Sequence, residues 1–264
     1  KFFIDSYSST DVARNVDIMD ANGKYVKRLH EAADPLKDYN IGTIELGELK
    51  AEDGQTLYTR MIKPYNFDEN KKYPVIIYVY GGPHAQMITD NWTADAGIYL
   101  HYLSQEGFIV FTLDNRGSAD RGEAFEQVIH RQCGQAEMRD QKVGIDYLKS
   151  LPYVDAERIG TDGWSYGGFM STNMKINYPE DVKVSTAGGP VMDWKYYEIM
   201  YGERYMDTPA EMSRTSAGGN TVAHDGLITT TKPFVIEMGK EHEMPLAGAV
   251  TLGSFMGGVF NDSN

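Results

Sequence analysis

The sequence predicts an α/β fold, with a mostly parallel sheet covered by helices on both faces. Three observations carry this reading. Two continuous apolar runs, Val75-Ile76-Ile77-Tyr78-Val79 and Phe108-Ile109-Val110-Phe111-Thr112-Leu113, have the pattern of strands buried on both sides. Stretches with apolar residues at helical spacing lie between and after them, so strand and helix alternate as parallel crossovers require. The 264 residues are 41% hydrophobic and 24% charged, which suits one large globular domain, or one domain plus a fragment, and excludes a disordered or fibrous chain.

Taken in order, the first forty residues read as β. Phe2-Phe3-Ile4 opens a short strand, and residues 11–30 form a hairpin whose Asn22-Gly23 turn tolerates positive φ. Asp34-Pro35 breaks that pattern. A second hairpin follows, with strands over 41–49 and 57–62 about Glu52-Asp53-Gly54. Pro64 and the polar stretch 66–72 separate it from the first buried run. A helix is predicted over 94–105, stopped by Gly107, and another over 136–150 with Val143, Ile145 and Leu148 on its apolar side. Residues 158–163 read as a short strand and 168–178 as a helix ending at Pro179. There is no internal repeat and no low-complexity tract.

A net charge of −13 argues against nucleic acid or an anionic membrane as partner, because phosphate is repelled. Cys133 is the one cysteine, which excludes an internal disulfide and a cysteine-based metal site. The apolar runs are far shorter than a bilayer span, so no transmembrane segment is expected. Lys1 is not an initiator and no signal-type segment follows it, so the chain reads as an interior piece of something longer, its compartment unwritten. All eighteen tyrosines stand at or before Tyr205, which marks a compositional boundary near residue 206.

Gly163-Trp164-Ser165-Tyr166-Gly167 fits G-x-S-x-G. In a chain of this composition the pattern arises by chance roughly once in eight, so its setting has to add weight. It follows a short strand and opens a helix, as a nucleophile elbow requires. The glycines suit a turn too tight for Cβ atoms, and the helix N-terminus favours developing negative charge. The bland alternative is a serine that merely caps a helix. An activated serine also needs oxyanion donors. One is the backbone N–H of Tyr166; the other is the hydroxyl of Tyr80, in Tyr78-Val79-Tyr80-Gly81-Gly82-Pro83 at the end of the first buried strand. From the residues alone, Tyr80 reads equally as a packed aromatic before a glycine turn.

Four blocks occur in order: Val79-Tyr80-Gly81-Gly82-Pro83, Asp114-Asn115-Arg116-Gly117-Ser118, Gly163-Trp164-Ser165-Tyr166-Gly167-Gly168, and Asp193-Trp194-Lys195-Tyr196-Tyr197 with Tyr201-Gly202-Glu203-Arg204-Tyr205-Met206. Together they resemble the catalytic domain of the prolyl oligopeptidase family of serine peptidases, in its dipeptidyl peptidase branch, over about residues 2–209. The resemblance implies an α/β-hydrolase core over 41–209, preceded at 1–40 by the end of a β-propeller, and a divergent tail over 210–264. It implies Ser165 as nucleophile, Tyr80 and Tyr166 as oxyanion donors, and Val191, Trp194, Tyr197 and Tyr201, with the Tyr166 ring, as walls of a pocket for proline or alanine. Flat aromatic walls bury such side chains without demanding hydrogen bonds. Without the resemblance, Trp194, Tyr197 and Tyr201 also read as one face of a helix packed on the core. Arg116 is expected to organise a loop. The resemblance further implies a peptide substrate, no cofactor, a homodimer for full-length relatives, and a periplasmic, cell-surface or secreted location.

The sequence departs from the family after Met206. A serine needs a base and an orienting acid, in the chain order Ser, Asp, His for this fold. Neither the family's His-Gly-x-x-Asp-Asp segment nor its Asp-x-x-His loop is found there, so the fold is expected to be incomplete at its C-terminal end. Residues 232–239 stand where a late strand is expected, which sets Glu241 or Glu243 near the acid position, with no histidine after His242. His224 precedes any acid, His84 follows the oxyanion segment, and His30, His101 and His130 read as surface or helix residues. His224-Asp225 and Glu241-His242-Glu243 lack the helical pairing of a zinc site, so no metal is expected. The competing readings are an acylaminoacyl peptidase or esterase on the same scaffold, and a non-catalytic remnant.

Overall fold

The computed structural model describes residues 1–192, 197–207, 235–237 and 249–252. Strands β1 (Phe2–Ser9), β2 (Val12–Asp20) and β3 (Tyr25–Glu31) form an antiparallel three-stranded sheet in that order. The predicted hairpin is thus the outer two-thirds of a meander that β1 completes along the length of β2.

The remaining strands are β4 (Thr43–Lys50), β5 (Thr56–Lys63), β6 (Tyr73–Tyr78), β7 (Ile109–Asp114), β8 (Val154–Trp164), β9 (Val184–Gly188), β10 (Val235–Glu237) and β11 (Ala249–Leu252). They make one eight-stranded sheet in the order β10-β11-β9-β8-β6-β7-β5-β4. Pairing is parallel from β10 to β7, whereas β5 meets β7 and β4 meets β5 antiparallel. The α-helices among the described residues are α1 (Ile98–Gln105), α2 (Glu123–Glu126), α3 (Ala136–Ser150), α4 (Tyr166–Asn177) and α5 (Ile199–Met206). This is the α/β-hydrolase architecture.

The alternation in β7 shows why both faces need cover. Ile109, Phe111 and Leu113 enter the large core formed with α3 and α4, while Val110 joins Leu100 of α1, Ala96 and Ile62 on the opposite face. A strand buried on both sides has to be largely apolar, as β7 is, with its buried Thr112 and Asp114 hydrogen-bonded to Arg60 and to the Met87 and Ile88 amides.

Two expectations need correction. The helix predicted from residue 94 starts at Ile98, because Thr93, Ala94 and Asp95 take positive φ in an irregular turn over Trp92–Asp95. The strand predicted over 158–163 starts at Val154, with a register shift against β6 between Tyr73 and Val75. His101, read as a surface or helix residue, is on α1 and buried. The predicted late strand contains β10, while Glu241 and Glu243 lie outside the described residues.

Candidate active site

Strand β8 ends at Trp164 and α4 begins at Tyr166, so Ser165 is the one residue between them. It holds φ 58° and ψ −118°, a conformation that costs a non-glycine residue about 1–3 kcal/mol and has to be imposed by its surroundings. Two bonds impose it here. The Ser165 N–H donates to the Gly188 carbonyl at 2.7 Å, and the Phe169 N–H donates to the Ser165 carbonyl at 3.1 Å. Glycine is required on either side: a Cβ at Gly163 would come 2.6 Å from the Val79 carbonyl oxygen, and one at Gly167 would come 3.0 Å from the Tyr80 Cα. The segment that follows β6 and carries Tyr80 therefore lies directly against the turn carrying Ser165.

That closeness extends to the side chains. The rings of Tyr80 and Tyr166 are 6.1 Å apart between centroids, and a Cβ at Gly82 would come 2.7 Å from the first and 3.0 Å from the second. Tyr166 is buried and meets Phe169 edge-on at 5.3 Å. Tyr197 meets Tyr201 at 5.3 Å, and Tyr201 meets Tyr205 at 4.6 Å, both edge-on. Tyr80, Tyr197, Tyr201 and Tyr205 pack half-buried against the core cluster that includes Tyr166, Val191 and Met206. Burial raises the hydroxyl pKa values of Tyr80 and Tyr201, and neighbouring tyrosine hydroxyls add to both shifts. Each hydroxyl therefore keeps its proton at neutral pH and is available to donate. Tyr197 precedes α5, so the tyrosines sharing that helix are Tyr201 and Tyr205. Trp194 lies outside the described residues.

Behind this surface, α3 presents three buried polar residues at i, i+3 and i+4. Glu137 accepts the Tyr166 hydroxyl at 2.6 Å. Asp140 accepts the Arg116 backbone N–H at 2.8 Å and the Arg116 guanidinium at 2.7 Å, while the same guanidinium reaches Asp53. Gln141 donates to Asn115 Oδ1 at 2.9 Å, and Asn115 in turn donates to the Gly81 carbonyl at 3.0 Å. Arg116 thus ties its loop to α3 and to the β4–β5 turn. The sequence reading missed Glu137, Asp140 and Gln141. Their signal was available: polar residues at helical spacing on the side of α3 that faces the sheet.

The histidines are dispersed. His84, at φ 58°, sets Nδ1 2.8 Å from Glu126 Oε2 and its ring 5.8 Å from that of Tyr205. His130 reaches Asp207 at 3.3 Å, beside the Arg131–Asp207 ion pair. His224 and His242 lie outside the described residues. Among the described residues no group of three or more His, Cys, Asp or Glu is placed to hold a metal, and no helix is long and apolar enough to cross a membrane.

Residues 95–223 match the model of the prolyl oligopeptidase family. A putative dipeptidyl aminopeptidase IV from Bacteroides ovatus ATCC 8483 superposes with a TM-score of 0.80 at 49% identity, covering 84% of this chain and 31% of that one. Dipeptidyl peptidase 4 of Porphyromonas gingivalis superposes at 0.75 with 31% identity, covering 85% of this chain and 31% of that one. Dipeptidyl peptidase 8 of Mus musculus is 37% identical over 180 residues, which is 68% of this chain and 20% of the relative. The chain thus spans between a fifth and a third of the length of these proteins.

Proposed function

This chain belongs to the prolyl oligopeptidase family of serine peptidases, and from that premise we propose that Ser165 is the nucleophile of a dipeptidyl-peptidase-type site. Ser165 Oγ attacks the carbonyl of the scissile bond, the amine leaves, and water hydrolyses the resulting ester. The Tyr166 N–H and the Tyr80 hydroxyl stabilise the oxyanion. Val191, Tyr197, Tyr201, Trp194 and the Tyr166 ring enclose a small apolar side chain such as proline or alanine. The observation that carries this reading is the positive φ of Ser165 between β8 and α4, with the Tyr80 and Tyr166 rings converging at Gly82. Residues 1–40 are read as the end of a propeller-type region, 41–209 as the hydrolase core, and 210–264 as a divergent tail.

The family's acid and histidine segments do not appear in the sequence after Met206. Loss of a triad base removes most of the rate and leaves the oxyanion donors and binding to supply a residual of about 10³–10⁴ over water. The 264-residue chain is therefore expected to turn over little. Two assays separate the parts of this proposal. A fluorophosphonate probe should label the folded chain at Ser165 slowly and not label Ser165→Ala; silence in the folded wild type overturns the nucleophile assignment. Hydrolysis of a Gly-Pro chromogenic amide at rates typical of peptidases, abolished by Ser165→Ala, overturns the expectation of low turnover. The acylaminoacyl peptidase, esterase and remnant alternatives gain no support from the named relatives, which are dipeptidyl peptidases.

A further inference from the structure

Glu137 is fully buried, and both of its carboxyl oxygens are engaged. Oε1 accepts the Tyr166 hydroxyl at 2.6 Å. Oε2 accepts the N–H groups of Gly134 at 3.0 Å and Gln135 at 3.1 Å, immediately ahead of α3. A carboxyl in a helix's first turn is ordinarily held by N–H groups such as these and faces water on its other side. Here the other side is occupied by a phenol from a different helix. The bond therefore joins the first turn of α3 to the first residue of α4. Burial lifts the Glu137 carboxyl to about 7 against the pull of these bonds.

The geometry that Glu137 fixes is that of the candidate site. Tyr166 contributes two groups: the backbone N–H that follows Ser165, and the ring that approaches Tyr80 at Gly82. Phe169 meets that ring edge-on, and the bond to Glu137 anchors the hydroxyl at the far end. With one end of the side chain in α4 and the other pinned to α3, the ring plane and the first turn of α4 are set together. We propose that Glu137 is a positioning residue of this site, holding the Tyr166 side chain so that the adjacent amide and the ring face the substrate carbonyl and its side chain. The identification of those two roles rests on the function proposed above; the α3–α4 tie does not.

The test uses Glu137→Ala, Glu137→Gln and Tyr166→Phe in the full chain, with two readouts. The first is the rate of fluorophosphonate labelling at Ser165. Glu137→Ala should slow it by about 10- to 100-fold, the scale on which small misplacements of a reacting group act. Glu137→Gln should recover most of that loss, since its amide oxygen accepts the two N–H groups while its NH₂ donates to the phenol oxygen. Tyr166→Phe should slow labelling by a smaller factor. The second readout is the NMR resonance of the hydroxyl-bearing ring carbon of Tyr166, identified by its loss in Tyr166→Phe. It should shift in Glu137→Ala and move less in Glu137→Gln. Wild-type labelling rates in Tyr166→Phe, or an unmoved resonance in folded Glu137→Ala, overturn the positioning role. If wild type does not label, the serine assignment fails and the resonance alone decides the α3–α4 tie. If Glu137→Ala does not fold, Tyr166→Phe carries the test.

Discussion

Two ionisable clusters are buried on opposite faces of the same sheet, and they are satisfied very differently. On the α3–α4 face, Glu137 has a donor for each oxygen. On the α1 face, Arg60 gives its guanidinium to the carbonyls of Met87 and Ala94 and to Thr112, yet its Nε has no partner, and neither does either ring nitrogen of the buried His101. Asp114, on the same side, accepts the N–H groups of Met87 and Ile88. The first cluster fixes one ring beside the candidate nucleophile. The second fixes a stretch of irregular backbone, including Thr93, Ala94 and Asp95 at positive φ. Complete pairing accompanies the position that needs a defined side chain. Incomplete pairing is tolerated where the task is to hold main chain, since a clamp on several carbonyls has redundancy that a single phenol lacks.

The largest expected effect tests that redundancy. Asp114→Ala leaves the buried Ile88 amide and the part-buried Met87 amide unpaired and removes a carboxylate that interacts with the buried Arg60 guanidinium, so urea unfolding should show a loss of about 3 kcal/mol. A loss below about 1 kcal/mol would mean the loop is held without it, and the contrast between the faces would break.

Of the same size for each group is a pH effect common to both clusters. Burial raises Asp114 from 3.8 to about 6, and Glu137 from 4.5 to about 7. A carboxyl raised on folding binds its proton more tightly in the folded state. Its contribution is fully present below the unfolded value and is lost as pH rises through the folded one. Stability should therefore fall between about pH 4 and 7, by about 3 kcal/mol for each group. Glu137→Gln should flatten the upper part of that fall and Asp114→Asn the lower part. A stability curve that rises across this interval and is unchanged by either variant would show that neither carboxyl is buried as described.

The smallest effect sharpens the comparison from the unsatisfied side. His101→Leu removes two ring nitrogens without partners from a buried position on α1, and should stabilise the chain by about 1 kcal/mol. Destabilisation by more than that amount in thermal unfolding would show that the imidazole has a role in the clamp.

The same contrast explains what could be read from the residues. The central strands were legible because double burial leaves an unbroken apolar run, and α3 was legible to the residue because its apolar side keeps helical spacing. The start of α1 was not. Helical spacing continues back through Ala94, but Arg60, more than thirty residues earlier, captures the Ala94 carbonyl, and no local pattern carries that instruction. In the site, Ser165 and Tyr80 stand in short contiguous motifs set by the needs of tight turns, whereas Glu137 acts on Tyr166 across 29 positions and reads locally as an acidic residue in a helix's first turn. His84 follows the oxyanion segment in sequence, and in the structure its partner is Glu126.

The polar face of α3 has a kinetic consequence as well. Through Glu137, Asp140 and Gln141 a single helix holds the elbow, the Arg116 loop and, by way of Asn115, the Gly81 turn, segments far apart along the chain. Loops anchored separately exchange their amide hydrogens at separate rates, each set by its own local opening. Loops sharing one anchor open together or not at all. The amides around Gly81, Arg116 and Tyr166 should therefore report a common opening free energy in native-state hydrogen exchange, as one cooperative unit whose boundary is drawn by α3 rather than by chain order.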